Sequence, residues 1–272
     1  MLSPRQIFED NIRPAELMLR VYRLLEHDTP KTDGEMVQAL RVLVKADADE
    51  GLLLIYNEIF LGLIREGAQI APLSIRRTAL RNLLRQAVVT ACTALETYLP
   101  MLLRSALPVV IRARGRDFVP HDKVVDEQFK NLTFSLRDVV RILEDPNPLF
   151  IANKIISFVN FSYLSGVRGI HVTGSLLGIK EPWSQIAQRL HRNEDDLKTI
   201  VTETVNRRND IVHRADRDKK SLDGQPQEIG YAWAKQAVDT ISHVCLCLDE
   251  LASAHMSELR TQGEIVAAAG TL

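Results

Sequence analysis

Residues 83–99 read LLRQAVVTACTALETYL, and the only charge between Arg85 and Arg104 is the carboxylate of Glu96. A helix that is apolar on almost every side lies at the centre of a protein, so this stretch predicts the central helix of a helical bundle. A carboxylate on such a helix destabilises the fold by several kcal/mol unless it is neutralised or paired. We therefore expect Glu96 to have a partner, either in a structural ion pair that fixes helix register or in an active site where it orients a neighbouring group.

The rest of the chain also follows the period of 3.6 residues that is typical of α-helices. Glycine and proline, which interrupt helices, are scarce, at 13 and 11 of 272 residues. The sequence therefore predicts an all-α protein in which Pro108 ends the longest helix. The predicted helices cover residues 5–26, 35–46, 50–66, 75–107, 123–144, 149–165, 182–192, 194–214 and 227–260, with a basic linker at 112–122 and loops at 166–180 and 217–230.

Composition limits the class of protein and its organisation. The chain is 46% hydrophobic and 25% charged, which excludes a disordered protein. Its net charge of −1 excludes nucleic-acid binding by bulk positive charge, although local basic patches remain possible. We expect an N-terminal helical extension over residues 1–72, a larger helical bundle over 73–262 and a C-terminal tail over 263–272.

Several motifs that would indicate other functions are absent. Three cysteines without a C-x-x-C pair, and a start without signal-peptide features, favour a reducing cytoplasm. No membrane association is expected, because the most apolar early stretch is too short to span a bilayer. The sequence has no P-loop, G-x-G-x-x-G, G-x-S-x-G or H-E-x-x-H motif, and its seven histidines lack a metal-ligand spacing. We therefore expect neither a metal nor a cofactor.

A second charged residue interrupts an apolar pattern near residue 208. One helical face is defined by Leu197, Ile200, Val201, Thr204, Val205, Ile211 and Val212. Arg208 falls near the middle of that face, and its guanidinium cannot lose its charge because its pKa stays above about 12. Arg208 must therefore be paired or face a wet cleft, unless the helix loses its regular face there and the side chain extends to the surface.

The sequence around Arg208, residues 207–214, reads RRNDIVHR. Asn209 and His213 are four residues apart and share one side of a helix, whereas about 140° separates Arg208 from His213 on an ideal helix. Either the helix frays near His213, or two copies of the chain line one cleft across a two-fold interface. A purely structural alternative pairs Asp210 with Arg214 and places His213 at a helix end, where a cation suits the helix dipole.

Residues 208–213, RNDIVH, resemble the R-x4–6-H signature of the HEPN superfamily, in the form with Asn directly after Arg. Their position late on a helix, before a loop and a long final helix, agrees with that family. Residues 83–99, with the embedded Glu96, are similar to the RiboL-PSP-type HEPN subfamily. The resemblance extends over residues 75–260 as an architecture and over these two short stretches as residues.

The resemblance implies a metal-independent endoribonuclease that acts as a homodimer, of the kind found among toxin, antiphage and RNA-processing proteins. An antitoxin or a defence-system protein is an implied partner. Arg208 and His213 would be catalytic, Asn209 a supporting polar residue, and Glu96 the residue that orients Arg208. Some HEPN toxins have Tyr two residues after the His, but this chain has Ala215, so silencing by modification of that Tyr is not expected.

These residue types suit RNA cleavage without a metal. The 2′-hydroxyl of RNA attacks the adjacent phosphorus when a base accepts its proton, and an imidazole with an ordinary pKa of about 6.5 can do so near neutral pH. A forked guanidinium stabilises the charge that develops on the phosphoryl oxygens. DNA lacks the 2′-hydroxyl and should not be cut by this route.

Basic residues near the motif are candidates for binding the RNA backbone, although each also fits a solvated charged face. They are Arg207, Arg214, Lys219, Lys220, Arg77 and Arg81. Two other functions remain open. One is a catalytically inactive HEPN-like module that binds RNA, a nucleotide or a partner protein. The other is a structural adaptor in which Arg208 and Glu96 form a buried salt bridge.

Overall fold

A computed structural model gives the fold of most of the chain. It describes residues 2–27, 35–48, 52–56, 61–65, 80–115, 118, 126–127, 130–144, 147–160, 164–217 and 226–269. These residues form nine helices and one antiparallel β-hairpin, so the all-α fold class is confirmed apart from the hairpin. The helices are α1 Pro4–His27, α2 Glu35–Leu43, α3 Leu80–Arg114, α4 Leu136–Glu144, α5 Pro148–Asn160, α6 Gly166–Leu176, α7 Pro182–Arg189, α8 Glu194–Arg214 and α9 Tyr231–Ala269, and the strands are β1 Leu52–Tyr56 and β2 Leu61–Arg65.

The helix predicted over residues 50–66 is wrong, because this region contains the hairpin. Strand β1 pairs antiparallel with β2, in a register that runs from Leu52 opposite Arg65 to Tyr56 opposite Leu61. Each strand is a short run of five mostly apolar residues, and periodicity alone does not distinguish such a run from part of a buried helix. Leu52 is buried with Val37 of α2 in a small cluster of its own.

Helix α3 continues past the proline that was predicted to end it. Both Pro100 and Pro108 lie inside the helix, and the predicted linker at 112–122 begins within its last turn. Proline removes one backbone hydrogen bond but does not end a helix whose neighbouring residues gain more by burial. Leu107 and Val110, on either side of Pro108, are fully buried, which explains why the helix persists.

The loop predicted from four glycines at residues 166–180 is largely wrong, because most of that stretch is helix α6. A Cβ atom on Gly169 would lie 2.7 Å from the carbonyl carbon of Leu164. A Cβ atom on Gly174 would lie 2.6 Å from the Cβ of Pro182. The glycines therefore serve close packing, and the helix tolerates their low helical propensity.

The remaining boundaries follow local capping. Helices α1, α8 and α9 confirm the helices predicted over 5–26, 194–214 and 227–260. Their ends agree to within a few residues, except that α9 continues to Ala269. Helix α4 covers only the second part of the helix predicted over 123–144. It starts there because Ser135 and Asp138 exchange hydrogen bonds between side chains and backbone N–H groups (2.9 and 3.2 Å), as in a capping box.

The chain divides into two compact units. The first consists of Met1–Ile12, Ala91–Asn209 and Asp239–Leu272, and the second of Arg13–Thr90 and Asp210–Val238. In the first unit, the buried rings of Phe8 and Tyr98 lie 5.3 Å apart. In the second, the rings of Tyr22 and Tyr231 stack at 5.8 Å. The division into residues 1–72, 73–262 and 263–272 stays a prediction.

Helix α3 is the one helix among the described residues that is long and apolar enough to cross a membrane. Half of its most apolar 18-residue window is buried inside the protein. The core helix of a soluble protein has the same length and composition, and the finding is consistent with a soluble protein.

Candidate active site

The candidate motif occupies the last two turns of α8, which runs from Glu194 to Arg214. The helix begins where the side-chain oxygen of Asn193 accepts hydrogen bonds from the N–H groups of Asp195 (2.8 Å) and Asp196 (3.1 Å). Acidic residues fill its first turn and basic residues its last, an arrangement that the helix dipole stabilises at both ends. The sequence therefore specifies a helix that continues through the motif.

In the first unit, Arg208 forms an ion pair with Glu96. One terminal nitrogen of Arg208 donates to Oε1 of Glu96, and the other donates to the side-chain oxygen of Asn209 at 3.0 Å. The Arg208 side chain is only 17% exposed and that of Glu96 33%. The expectation that each of these charges has a partner is confirmed, and the alternative in which Arg208 extends to the surface is wrong.

Ser165 fixes the carboxylate from a third element. Its hydroxyl donates to Oε1 of Glu96 at 2.8 Å, so this oxygen accepts hydrogen bonds from both Ser165 and Arg208. Ser165 is the N-cap residue of α6, yet its side chain makes no capping hydrogen bond. Ser165 was not predicted from the sequence, because no local pattern connects it with a residue 69 positions earlier.

Cys92 lies beside the ion pair but does not compete for the charge of Arg208. Burial raises the pKa of the Cys92 thiol to about 11, although the positive charge of Arg208 opposes that shift. The thiol lies 4.0 Å from the backbone oxygen of Thr204, to which it donates. Cys92 therefore stays neutral at cellular pH, and Glu96 is the anion that neutralises Arg208.

Arg208 and Asn209 retain capacity to bind a further group. The Nε of Arg208 is buried and has no hydrogen-bond partner within the described part of the chain. A guanidinium has five N–H donors, of which Glu96 and Asn209 each engage one and the neighbouring Cys92 thiol interacts with another. Asn209 accepts through its oxygen and keeps its amide N–H groups for another acceptor. The site thus contains the guanidinium of Arg208 in a fixed position, with the side-chain amide of Asn209 oriented beside it.

In the second unit, the last turn of α8 carries His213 exposed to solvent. Asp210 accepts a hydrogen bond from Arg214 at 3.0 Å, so the predicted pair at i,i+4 is confirmed. The helix continues to Arg214, and the alternative in which it frays near His213 is therefore wrong. A cleft shared by two copies stays a prediction.

The turn that follows His213 has two residues in left-handed backbone conformation. Ala215 has a φ of 51° and Asp216 a φ of 61°. Residues other than glycine adopt this conformation at a cost of about 1–3 kcal/mol each, and they keep it only where surrounding contacts enforce it. The N–H of Asp216 donates to the backbone oxygen of Asp210 at 3.0 Å, which closes the end of the helix.

A buried ion pair supplies the enforcing contacts. The Nε of Arg85 donates to Oδ2 of Asp216 at 2.6 Å, and its Nη2 donates to the backbone oxygen of Gln227 at 2.7 Å. The Asp216 side chain is fully buried and that of Arg85 is 10% exposed. The sequence predicted no partner for Arg85. A charge at the start of an apolar stretch was the one available signal that it needs a partner.

The candidate RNA-binding residues have different surroundings. Arg77, Lys219 and Lys220 lie outside the described residues. Arg207 is half-buried, whereas Arg81 is exposed and paired with Glu228 at 3.1 Å. Exposed pairs such as Arg81–Glu228 and Asp210–Arg214 contribute little to stability, so their cations can exchange partners.

No three His, Cys, Asp or Glu side chains lie close enough to hold a metal ion anywhere in the described ranges. A model of the RiboL-PSP-HEPN family matches residues 63–254. That span contains Glu96, Ser165, Arg208, Asn209 and His213, and the resemblance drawn from the sequence is confirmed. No curated protein and no solved structure matches the chain.

Proposed function

The chain belongs to the RiboL-PSP-HEPN family, and on that premise we propose that it is a metal-independent endoribonuclease. The observation that carries the proposal is the held guanidinium of Arg208, fixed by Glu96 and Asn209 on a helix that also carries an exposed His213. Together these groups supply a permanent cation and a side chain able to exchange a proton. Phosphodiester cleavage by an internal nucleophile requires both.

In the proposed reaction, the imidazole of His213 accepts the proton of an RNA 2′-hydroxyl. The 2′-oxygen then bonds to the adjacent phosphorus, and the bond from phosphorus to the 5′-oxygen breaks. The departing 5′-oxygen takes up a proton from a protonated imidazole or from water. The products are a 2′,3′-cyclic phosphate and a 5′-hydroxyl, and Arg208 stabilises the charge that develops on the non-bridging oxygens.

Glu96, Ser165 and Asn209 are positioning residues in this proposal. Glu96 fixes the guanidinium in one orientation, and Ser165 fixes the carboxylate. Orientation before the reaction lowers the barrier, because the site does not have to reorganise as charge develops. The amide N–H groups of Asn209 are available to bind a phosphate oxygen.

We further propose that the active form is a homodimer in the cytoplasm. Arg208 and His213 are five positions apart on one helix, which separates them by about 140° on an ideal helix, so a two-fold arrangement of α8 helices would complete the cleft. Arg207, Arg214, Lys219, Lys220, Arg77 and Arg81 would bind the RNA backbone. A toxin or antiphage role, with an antitoxin or defence-system partner, fits this activity.

The test uses purified full chain with a labelled RNA and a DNA of the same sequence, each with and without a chelator. We expect RNA to be cut in the presence of chelator, with 2′,3′-cyclic phosphate ends, and DNA to remain intact. His213→Ala should abolish cutting, whereas His243→Ala, which changes an exposed histidine on α9, should not. Cutting that persists in His213→Ala, or that stops with chelator, would contradict the proposal.

One observation favours a second candidate, a structural helical adaptor in which Arg208 and Glu96 form a buried salt bridge. Glu96 neutralises Arg208 in a mostly buried ion pair, as expected for a structural salt bridge. This candidate predicts no cleavage of any RNA, and loss of folding in Arg208→Ala. It also predicts that His213→Ala leaves folding and stability unchanged.

A further inference from the structure

A cavity of about 500 Å³ lies within the first unit, away in sequence from the α8 motif. Its wall is built from the last turn of α3, the connection between α6 and α7, α7 itself, and the C-terminal half of α9. The charged and titratable groups on the wall are Arg114, Lys180, Arg189, His255 and Glu258. This volume lies within the range of about 300–1,000 Å³ that is typical of small-molecule sites.

Cations outnumber anions on this wall. Arg189 contacts Glu250 at 3.5 Å, and both of those side chains are about half exposed. The guanidinium of Arg114 and the ammonium of Lys180 form no ion pair with any described residue. Glu258 is the one carboxylate on the wall. The cavity therefore has an excess of positive charge that an anionic ligand would neutralise.

His255 adds a buried polar atom to the same wall. Its Nε2 is inaccessible to solvent and has no hydrogen-bond partner in the described part of the molecule. Its other ring nitrogen, Nδ1, lies 3.7 Å from Oε2 of Glu258. A buried nitrogen without a partner destabilises a structure, and a small rotation of the ring towards the cavity would let a bound anion remove that cost.

Gly178 brings the two groups together. It has a φ of 81°, and a Cβ atom at this position would lie 2.7 Å from Nη2 of Arg114 and 3.1 Å from Nε2 of His255. The absence of a side chain thus lets the guanidinium and the imidazole approach the same point of the backbone. The guanidinium and the imidazole therefore lie close to each other on this wall, with Lys180 two residues along the chain, and the three groups together can donate to several oxygens of one anion.

Part of the cavity wall is apolar. Ile179, Leu251 and Ala254 line it, and Gln185 provides one uncharged polar group. The amide of Gln185 donates to the backbone oxygen of Lys180 at 2.6 Å, which leaves its side-chain oxygen able to accept. A ligand that fills this space therefore has an anionic end and a body with an apolar face.

We propose that this cavity binds a small phosphomonoester, with the phosphate held by Arg114, Lys180 and His255 and the ester body against Ile179 and Leu251. A phosphate dianion offers three terminal oxygens and two charges, which match a forked guanidinium, an ammonium and an imidazole better than a single carboxylate does. Two sources carry this group, namely a free metabolite such as a nucleotide and the 5′-phosphorylated end of an RNA. Binding here needs neither Arg208 nor His213.

Calorimetric titration of the full chain tests the proposal without any cleavage step. The ligands are adenosine 5′-monophosphate, ribose 5-phosphate, adenosine and inorganic phosphate. We expect adenosine 5′-monophosphate, whose purine offers an apolar face, to bind at least about tenfold more tightly than inorganic phosphate, ribose 5-phosphate to bind with intermediate affinity, and adenosine not to bind. Equal affinity for inorganic phosphate and both esters would overturn the proposal.

Variants locate the site. Arg114→Gln and Lys180→Gln should each weaken ester binding by about tenfold or more, since each removes one charge-assisted hydrogen bond. Arg112→Gln removes an exposed cation two residues earlier on α3, outside the cavity, and should leave binding unchanged. Unchanged binding in both cavity variants, with folding verified by circular dichroism, would overturn the assignment. Lys180→Gln is informative even if Arg114→Gln does not fold.

A short RNA with and without a 5′-phosphate distinguishes the sources. Binding of the phosphorylated RNA more tightly than adenosine 5′-monophosphate would identify an RNA end as the ligand, and the reverse order a free metabolite. The same titration with His213→Ala separates this site from the proposed nuclease. Retained ester binding there, together with loss of RNA cleavage, would support both sites, and loss of ester binding would overturn the independence of the cavity.

Discussion

Glu96 on α3 pairs with Arg208 on α8, across 112 residues of sequence, and Ser165 donates to the same carboxylate oxygen. The first unit thus holds the guanidinium in place through its own folding. In the proposed enzyme, this ion pair determines where the cation meets a phosphate. The charge of Glu96 and its hydrogen bonds can be separated by substitution.

Replacement of Glu96 by Gln keeps an acceptor for Ser165 but removes the negative charge that faces Arg208. We expect the free energy of unfolding to fall by about 1–3 kcal/mol, because the mostly buried guanidinium of Arg208 loses its counter-ion. The cleavage rate should fall while the KM for RNA changes little. Urea unfolding and single-turnover cleavage measure the two effects.

Glu203→Gln is the matched control, since Glu203 is an exposed carboxylate on α8. It should leave both stability and rate unchanged. If Glu96→Gln were as stable and as active as the unchanged chain, Glu96 would have no positioning role.

Much of this site was predictable from the sequence, because a charge in an apolar helix needs a partner wherever it lies. That reasoning identified Glu96 and Arg208 separately, and their pairing is the simplest solution once both are buried. Ser165 was not predictable, because a serine before a helix usually caps it and this one does not. The partner of Arg85 was also missed, because no local pattern connects Arg85 with Asp216, which lies 131 residues later in the chain.

The fold was less predictable where glycine and short apolar runs have two interpretations. The four glycines at 166–180 fit a loop by composition, and only the packed structure reveals that Gly169 and Gly174 permit close contact. The β-hairpin was mistaken for a helix because LLLIY and LGLIR are too short to show a period. Pattern reasoning therefore succeeds for long amphipathic segments and fails where tertiary contacts decide.

Gly174→Ala tests whether α6 depends on close packing. The added methyl group would lie 2.6 Å from the Cβ of Pro182, so the two segments would have to separate. We expect the free energy of unfolding, measured by heat or urea, to fall by about 1–3 kcal/mol, despite the higher helical propensity of alanine. Gly230→Ala is the control, because a Cβ there meets nothing within 4 Å. If Gly174→Ala left the free energy of unfolding unchanged, the helix would have room for a methyl group at this position.

Asp138 gives a prediction for acidic pH. Hydrogen bonds from Lys154 and from Ser135 lower the pKa of Asp138 to about 2, from an ordinary value of 3.8. Since the folded state has the lower pKa, this group stabilises the fold above the ordinary value, and the contribution is lost as the pH falls towards 2. Between pH 4 and pH 2, the unchanged chain should therefore lose more stability than Asp138→Asn. The free energy of unfolding is measured by urea unfolding at several pH values. If it fell equally with pH in both chains, the low pKa of Asp138 would be contradicted.

Asp216→Asn leaves Arg85 without a counter-ion in the buried pair that follows the candidate helix. We expect a loss of about 3–5 kcal/mol in the free energy of unfolding, as is typical when one partner of a buried pair is removed. Arg81→Gln is the matched control, because Arg81 lies on α3 like Arg85. Its ion pair with Glu228 is exposed and should contribute no more than about 1 kcal/mol to the free energy of unfolding.

A double variant, Arg85→Leu with Asp216→Asn, distinguishes a lost charge from a lost turn. Removal of both charges should recover part of the stability, since no unpaired charge remains buried. The left-handed residues Ala215 and Asp216 would still lack their enforcing contacts, so RNA cleavage should remain impaired even where stability returns. Full recovery of cleavage in the double variant would mean that the turn does not position the last turn of α8.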